Sequence, residues 1–141
     1  MRWQLVSLIA ALAGIGVSVY LTVEHAATAL ACPATGVVNC EAVVSSSYGV
    51  IGGSNVPTSA AGIAWFAVSA GLGAALWRRP HLLVARLQLA WAAIGLATVL
   101  YLVYVEIVKL GAICLWCTAA HVLVLLIFLI ALPRPDQGEW Q

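Results

Sequence analysis

The chain has 141 residues, of which 64% are hydrophobic and 8% are charged, and its formal net charge at pH 7 is +1. Soluble domains carry charges on about a quarter of their residues, so this chain has too few polar side chains to cover a globule in water. We therefore expect a membrane protein, and the few basic residues predict no nucleic-acid partner.

Four stretches without Asp, Glu, Lys or Arg predict four membrane helices. They cover residues 5–23, 42–77, 87–105 and 110–132, and each provides the roughly 20 helical residues that cross a bilayer. The second stretch begins with AVVSSSYGVIGGSNVPTS, whose Ser, Gly and Pro are typical of a loop. The sequence thus predicts one all-α domain over residues 1–141, a four-transmembrane-helix bundle with helices near 5–23, 60–77, 87–108 and 113–132.

The first two predicted helices each carry small residues along one face. These are Ala10, Gly14 and Ser18 on the first helix and Ala67, Gly71 and Ala75 on the second. Small residues let neighbouring membrane helices approach closely, so both faces are expected to pack inside the bundle.

The long loop 24–59 contains a predicted short interfacial helix. Asn39 is a favourable N-cap residue, Cys40 would open the helix, and Gly49 can close it. The alternative is that Asn39 and Gly49 only shape a tight turn.

The basic residues predict the orientation of the chain. Five of the six lie on one side of the predicted bundle, and Lys109 lies on the other: Arg2, Arg78, Arg79, Arg86 and Arg134. Because positively charged segments stay in the cytoplasm, both termini and the connection 78–86 should be cytoplasmic, and the long loop should face outward. A cleavable signal peptide ending near ATALAC is the alternative, but the apolar segment is longer than a usual signal core.

All four cysteines fall on the predicted outer side, where disulfides persist. Cys32 and Cys40 lie in the loop, whereas Cys114 and Cys117 lie at the start of the last helix, where the helix N-terminus favours a thiolate. A zinc site is one hypothesis, but Cys-x7-Cys is not the usual ligand spacing. A membrane scaffold or adhesion protein, with a structural loop disulfide and two buried apolar cysteines, is a second. Thiol–disulfide exchange coupled to a membrane-soluble acceptor is the third, and it uses all four positions.

Several segments together resemble a known family. The sequences GIGVSVYLTVEH, CPATGVVNCEAVVSSSYGVIGG, VPTSAAG and YLVYVEIVKLGAICLWC are similar to the vitamin K epoxide reductase family, in its bacterial disulfide-forming branch. The similarity covers the chain from about Gly14 to His121. It implies a four-helix bundle around a quinone.

The resemblance also implies a role for each cysteine. Cys117 matches the thiol that meets the quinone, Cys114 its exchange partner, Cys40 the loop cysteine that exchanges with Cys114, and Cys32 the cysteine that accepts electrons from outside. The helix geometry independently places Cys117 about 4.5 Å deeper than Cys114. The deeper thiol should therefore meet the lipid-soluble acceptor.

Other positions are expected to bind or support the quinone, and these are Ser46, Val44, Tyr48, Thr58, Trp116 and His121. Ser46 matches the Ser or Thr of the family's loop, while Val43 and Val44 could form a lid. His121 stands where animal members have a quinone-binding Tyr, and Thr58 where they have an Asn. These two differences argue against epoxide reduction, whereas quinone reduction needs fewer such contacts. His121 either donates to the quinone or makes an interhelical hydrogen bond. Glu106 lies near the outer end of the third helix, close to the thiols, and is interpreted as an interfacial ion-pair partner of Lys109.

These implications define an expected activity. The chain ends nine residues after Leu132, so no thioredoxin-like domain is expected within it. We expect a separate thioredoxin-fold thiol oxidase as electron donor, menaquinone or ubiquinone as acceptor, and no metal. The expected location is the bacterial inner membrane, with the active site on the outer side.

Overall fold

The computed structural model describes residues 2–27, 32 and 35–133, so Arg134 and the segment 28–31 lie outside it. This part of the chain is helical and contains isolated β-bridges but no strand. The helices are α1 (Arg2–Ala27), α2 (Cys40–Val44), α3 (Thr58–Arg78), α4 (Leu82–Tyr104) and α5 (Leu115–Ala131), and a π-helical turn (Val105–Leu110) follows α4 directly.

Three helical segments among the described residues are long and apolar enough to cross a membrane: Arg2–Ala26, Thr58–Arg78 and Leu82–Leu110. The chain is therefore a membrane protein. The shorter α5 has 17 residues and is strongly apolar, and its crossing of the membrane as a fourth span stays a prediction.

The observed helices extend beyond the uncharged stretches because single charged residues do not end a helix. α1 begins at Arg2 and continues past Glu24, and α4 already begins at Leu82. Arg86, predicted in a connection, therefore lies within α4. The His81 ring caps this helix by accepting the N–H of Leu83 at 3.2 Å.

The four long helices pack in a ring, in which α1 and α4 each pack against both α3 and α5. Its core contains Ala10 and Ala11 of α1, Phe66 of α3 and Ile127 of α5. A buried hydrogen bond of 3.1 Å from Gln88 to Ser7 ties α4 to α1. Such a polar contact between helices satisfies groups that find no water in the bilayer.

The prediction for small residues is confirmed on α1 and wrong on α3. Ala10, Gly14 and Ser18 are buried, and a side chain at Gly14 would collide with the ring of Phe66. Ala67, Gly71 and Ala75 are exposed. The reason is that α3 directs Phe66, Ser69, Gly73 and Leu76 to the core instead.

The predicted cap of the loop helix is confirmed, but its predicted end is wrong. The Asn39 side chain accepts the N–H of Ala42 at 3.0 Å at the start of α2. The helix ends at Val44 with Ser45 as C-cap, well before Gly49. Gly49 instead joins the loop to α3, since its C=O accepts the N–H of Thr58 at 2.8 Å.

Candidate active site

The four cysteines form two pairs in different chemical states. Cys32 and Cys40 are joined by a disulfide, with their Cα atoms 6.0 Å apart. Cys114 and Cys117 are free thiols. Cys40 is the first residue of α2, and Cys114 is the N-cap of α5.

Backbone hydrogen bonds hold the loop against the chain segment that precedes α5. Asn39 N–H donates to the C=O of Ile113 at 3.0 Å, and Ile113 N–H donates to the C=O of Val37 at 2.8 Å. These bonds form a short parallel pairing in which Cys40 and Cys114 follow the paired residues. The loop is therefore held in register with the start of α5.

This pairing brings the two cysteine pairs into one buried cluster. Cys40 is 1% exposed and Cys114 is 0% exposed, and both lie in a cluster with Leu21 of α1. Cys32 and Cys117 pack against the same cluster. Exchange between the loop pair and the helix pair therefore needs no long movement of the chain.

The Cys114 sulfur serves as the N-cap of α5. Its Sγ accepts the N–H of Cys117 at 3.2 Å. A hydrogen-bond donor aimed at the sulfur from a helix N-terminus favours its anionic form, which is the nucleophile in thiol–disulfide exchange. The cap thus fixes the position of the Cys114 sulfur at the start of the helix.

A cavity of about 280 Å³ lies between the loop, α1, α3, α4 and α5. Of the four cysteines, Cys117 lines this cavity. Five of the six other predicted site residues also line it, and these are Val44, Ser46, Tyr48, Thr58 and His121. Trp116 does not, because its ring packs against Tyr20 with the ring centroids 4.9 Å apart.

Two hydroxyl groups in the cavity wall hold the loop. The Ser46 hydroxyl donates to the C=O of Val43 at 2.7 Å, and the Thr58 hydroxyl donates to the C=O of Tyr48 at 3.0 Å. Both hydroxyl hydrogens are thus directed at the backbone. Either oxygen can face a ligand as an acceptor.

His121 is half-buried in the cavity wall. Within the described chain its ring has no hydrogen-bond partner. The predicted interhelical hydrogen bond is therefore not found there, and the ring nitrogens remain open to a ligand.

Glu106 does not pair with Lys109, which corrects the interpretation of that residue. Its carboxylate Oε2 accepts the backbone N–H of Cys114 at 3.2 Å, while Lys109 is exposed. The π-helical turn changes the spacing along the chain, so residues three apart no longer face each other as they do on an α-helix. The sequence pattern gave no signal of this turn.

Trp65 is a cavity residue that the sequence did not single out. Its indole N–H is buried and has no hydrogen-bond partner in the described part of the chain. The ring packs against Gly95, where a side chain would collide with it. Tryptophans are common at membrane interfaces, so the sequence contained no sign that this one lines a cavity.

The cavity fits a quinone by its chemistry. Its volume is near the lower end of the usual range for ligand sites, and its wall is mostly apolar with a few polar groups. Cys117 supplies a free thiol, and the unpartnered Trp65 N–H supplies a donor for a carbonyl oxygen. A flat, apolar ring with two carbonyl groups suits this arrangement.

A membrane bundle that holds a disulfide and a dithiol together defines the class of membrane thiol–disulfide oxidoreductases. A family model described as the vitamin K epoxide reductase family matches residues 5–132. The chain belongs to the vitamin K epoxide reductase family, whose members use quinones. A comparison with curated proteins finds no match.

Proposed function

We propose that this protein oxidises a thioredoxin-fold partner on the outer side of the membrane and passes the electrons to a quinone, which supports disulfide-bond formation. The observation that carries the proposal is the joining of two cysteine pairs in one cluster beside an apolar cavity. We also propose that the chain belongs to the bacterial disulfide-forming branch of the family.

The electrons enter through the loop pair. A partner thiolate attacks the Cys32–Cys40 disulfide at Cys32, which gives a mixed disulfide and a Cys40 thiol. The second partner thiol then resolves the mixed disulfide, so the partner leaves oxidised and the loop pair is reduced. Two electrons and two protons have then moved from the partner to the loop.

Cys40 and Cys114 connect the two pairs. When the helix pair is a disulfide, the Cys40 thiolate attacks Cys114 and releases Cys117 as a thiol. Cys32 then displaces Cys114, which restores the loop disulfide and leaves the helix pair reduced. The shared burial of Cys40 and Cys114 supports this order.

The cavity residues would hold the quinone beside Cys117. A bound quinone supplies a two-electron, two-proton acceptor. Trp65 and His121 would donate hydrogen bonds toward it, His121 would also be able to transfer a proton, and Val44 and Tyr48 of the loop would cover it. Trp116, against Tyr20, supports the start of α5.

The orientation is part of the proposal. We place four spans in the bacterial inner membrane, with both termini in the cytoplasm and the cysteines on the outer side. The distribution of basic residues supports this arrangement, since Arg78 and Arg79 end α3 and Arg86 lies near the start of α4.

The experiment uses purified protein, a reduced thioredoxin-fold oxidase and a short-chain menaquinone. We expect quinone reduction that depends on the partner and stops in Cys32→Ser and Cys117→Ser, because two-electron transfer needs both sulfurs of a pair. Mass spectrometry of quinone extracted from the purified protein identifies the acceptor. Unchanged turnover in either variant would contradict this cysteine mechanism, and absence of turnover in the wild-type protein would leave the scaffold hypothesis, with a structural loop disulfide.

A further inference from the structure

Glu106 is a buried acidic side chain beside the helix dithiol, and the exchange steps above give it no role. It is 5% exposed, lies in the π-helical turn and lines the cavity. Its carboxylate is hydrogen-bonded to the backbone of Cys114. π-helical turns are rare and occur frequently at functional sites.

The chain reversal after the π-helical turn fixes Glu106 relative to the cysteines. Its backbone C=O accepts the N–H of Gly111 and also that of Ala112, the latter at 3.1 Å. Gly111 adopts a left-handed conformation with φ of 61°. Glu106 therefore accepts three hydrogen bonds, from the backbone N–H groups of Gly111, Ala112 and Cys114.

Two thiols and one imidazole share the surroundings of Glu106. Cys114 and Cys117 of α5 interact with it electrostatically. His121 of α5 and Tyr48 of the loop line the same cavity. On the neighbouring elements, Glu41 of α2 and Lys109 of the turn are exposed, and within the described residues Glu106 forms no ion pair.

Oxidation of the helix pair must move protons as well as electrons. Two S–H bonds break, one S–S bond forms, and two electrons and two protons are delivered to the quinone, which leaves as the quinol. The cavity wall is mostly apolar, so the protons need titratable groups to carry them. Glu106 is the carboxyl group in that wall that also contacts Cys114.

We propose, on the basis of the proposed function, that Glu106 is the proton-transfer group of the dithiol. Its carboxylate takes up the Cys114 proton as the S–S bond forms, and the resulting carboxylic acid returns that proton to the acceptor in the cavity. The Cys117 proton leaves directly into the cavity that Cys117 lines. Glu106 ends the cycle as a carboxylate, so protons and electrons balance.

Glu106→Gln tests the proposal because the amide oxygen still accepts the Cys114 N–H but cannot carry a proton. Glu106→Asp retains a carboxyl group, and Glu41→Gln removes an exposed carboxylate next to Cys40 as a matched control. The melting temperature of each variant reports whether the fold is intact. All variants keep the four cysteines.

The first readout needs no quinone. The helix thiols are treated with N-ethylmaleimide across a range of pH while the loop disulfide stays closed. Mass spectrometry follows the label on Cys117, which lines the cavity, because Cys114 is fully buried. We expect the wild-type rate profile to contain an ionisation that is lost in Glu106→Gln and kept in Glu106→Asp and Glu41→Gln.

The second readout is turnover with a short-chain menaquinone. We expect Glu106→Gln to be slower by about 10- to 100-fold, as for loss of a proton-transfer group, with partial recovery in Glu106→Asp. Wild-type turnover in Glu106→Gln would overturn the proposal. Slower turnover with an unchanged alkylation profile would also overturn it, since Glu106 would then act only on structure.

The two proposals fail in different ways. A wild-type protein that reduces no quinone would contradict the proposed function, while the alkylation profiles would still decide whether Glu106 exchanges protons with the dithiol.

Discussion

At the scale of single residues, Cys114 combines an observed structural role with the chemical role proposed for it. Helix N-caps are usually Ser, Thr, Asp or Asn, whose side-chain oxygens accept a backbone N–H. Here a buried sulfur accepts the N–H of Cys117 at 3.2 Å. The sulfur of Cys114 therefore occupies a capping position at which an oxygen is the usual acceptor.

Substitutions at Cys114 should separate these two roles. Cys114→Ser supplies a better capping atom, so we expect unchanged or slightly higher thermal stability together with complete loss of quinone reduction. Cys114→Ala loses the cap and should cost about 1 kcal/mol of stability with the same loss of activity. Thermal unfolding and turnover measured on both variants check this. Equal destabilisation by Ser and Ala would show that the sulfur does not cap the helix.

The sequence predicts the two cysteine pairs better than the residues that surround them. The cysteine spacing and the family resemblance identify both pairs, and Asn39 is recognisable as a cap because its chemistry is local. The contact of Glu106 with Cys114 depends on a π-helical turn, and the role of Trp65 depends on its close approach to Gly95. Neither arrangement leaves a periodic signal in the sequence.

At the scale of helices, the contact between α1 and α3 depends on one missing side chain. The ring of Phe66 occupies the space that a Cβ atom at Gly14 would need. Phe66 also lines the cavity, so this contact connects helix packing to the site.

Gly14→Ala should therefore destabilise the bundle, whereas Gly16→Ala should not. Both positions lie on α1, but nothing lies within 4 Å of a Cβ atom at Gly16. We expect Gly14→Ala to cost about 1–3 kcal/mol, as other overpacked cores do, and to weaken quinone binding as Phe66 shifts. Thermal unfolding and the Michaelis constant for quinone measure both effects. Matching behaviour of the two variants would contradict this packing.

Helix positions are predictable from uncharged stretches, but helix faces are less so. The loss of charged residues marks where the chain can enter lipid. The face of α3 that packs inward was assigned wrongly, because the large residue Phe66 fills the contact that small residues were expected to make. Packing between two helices depends on the surfaces of both, whereas the sequence of one helix describes its own surface only.

At the scale of the whole molecule, the charge asymmetry predicts which side each cysteine pair faces. A membrane-impermeant maleimide should label Cys32 in intact cells after reduction of the loop disulfide. Pro80→Cys, in the exposed connection between α3 and α4, should be labelled only after lysis when tested in a Cys32→Ser background. The reverse pattern would invert the orientation and the redox compartment.

A trapped complex with the partner should distinguish electron transfer from a structural disulfide. In Cys40→Ser, the free Cys32 thiolate attacks the disulfide of an oxidised partner, which is the reverse of the first exchange. No Cys40 thiol is then present to displace the partner from Cys32, so we expect a covalent adduct with a thioredoxin-fold protein. The adduct should disappear on reducing gels and in the double variant Cys32→Ser/Cys40→Ser. A structural disulfide gives no adduct in either variant and only lower stability.

The pairing of Asn39 with Ile113 also sets the order of events during biosynthesis. The loop leaves the ribosome before α3 and α4, but the strand-like segment that receives it precedes α5. The loop cysteines must therefore wait for two further hydrophobic helices to insert before Cys40 can reach Cys114. On the proposed function, the newly made protein therefore becomes competent for redox chemistry only when its last apolar helix has joined the bundle.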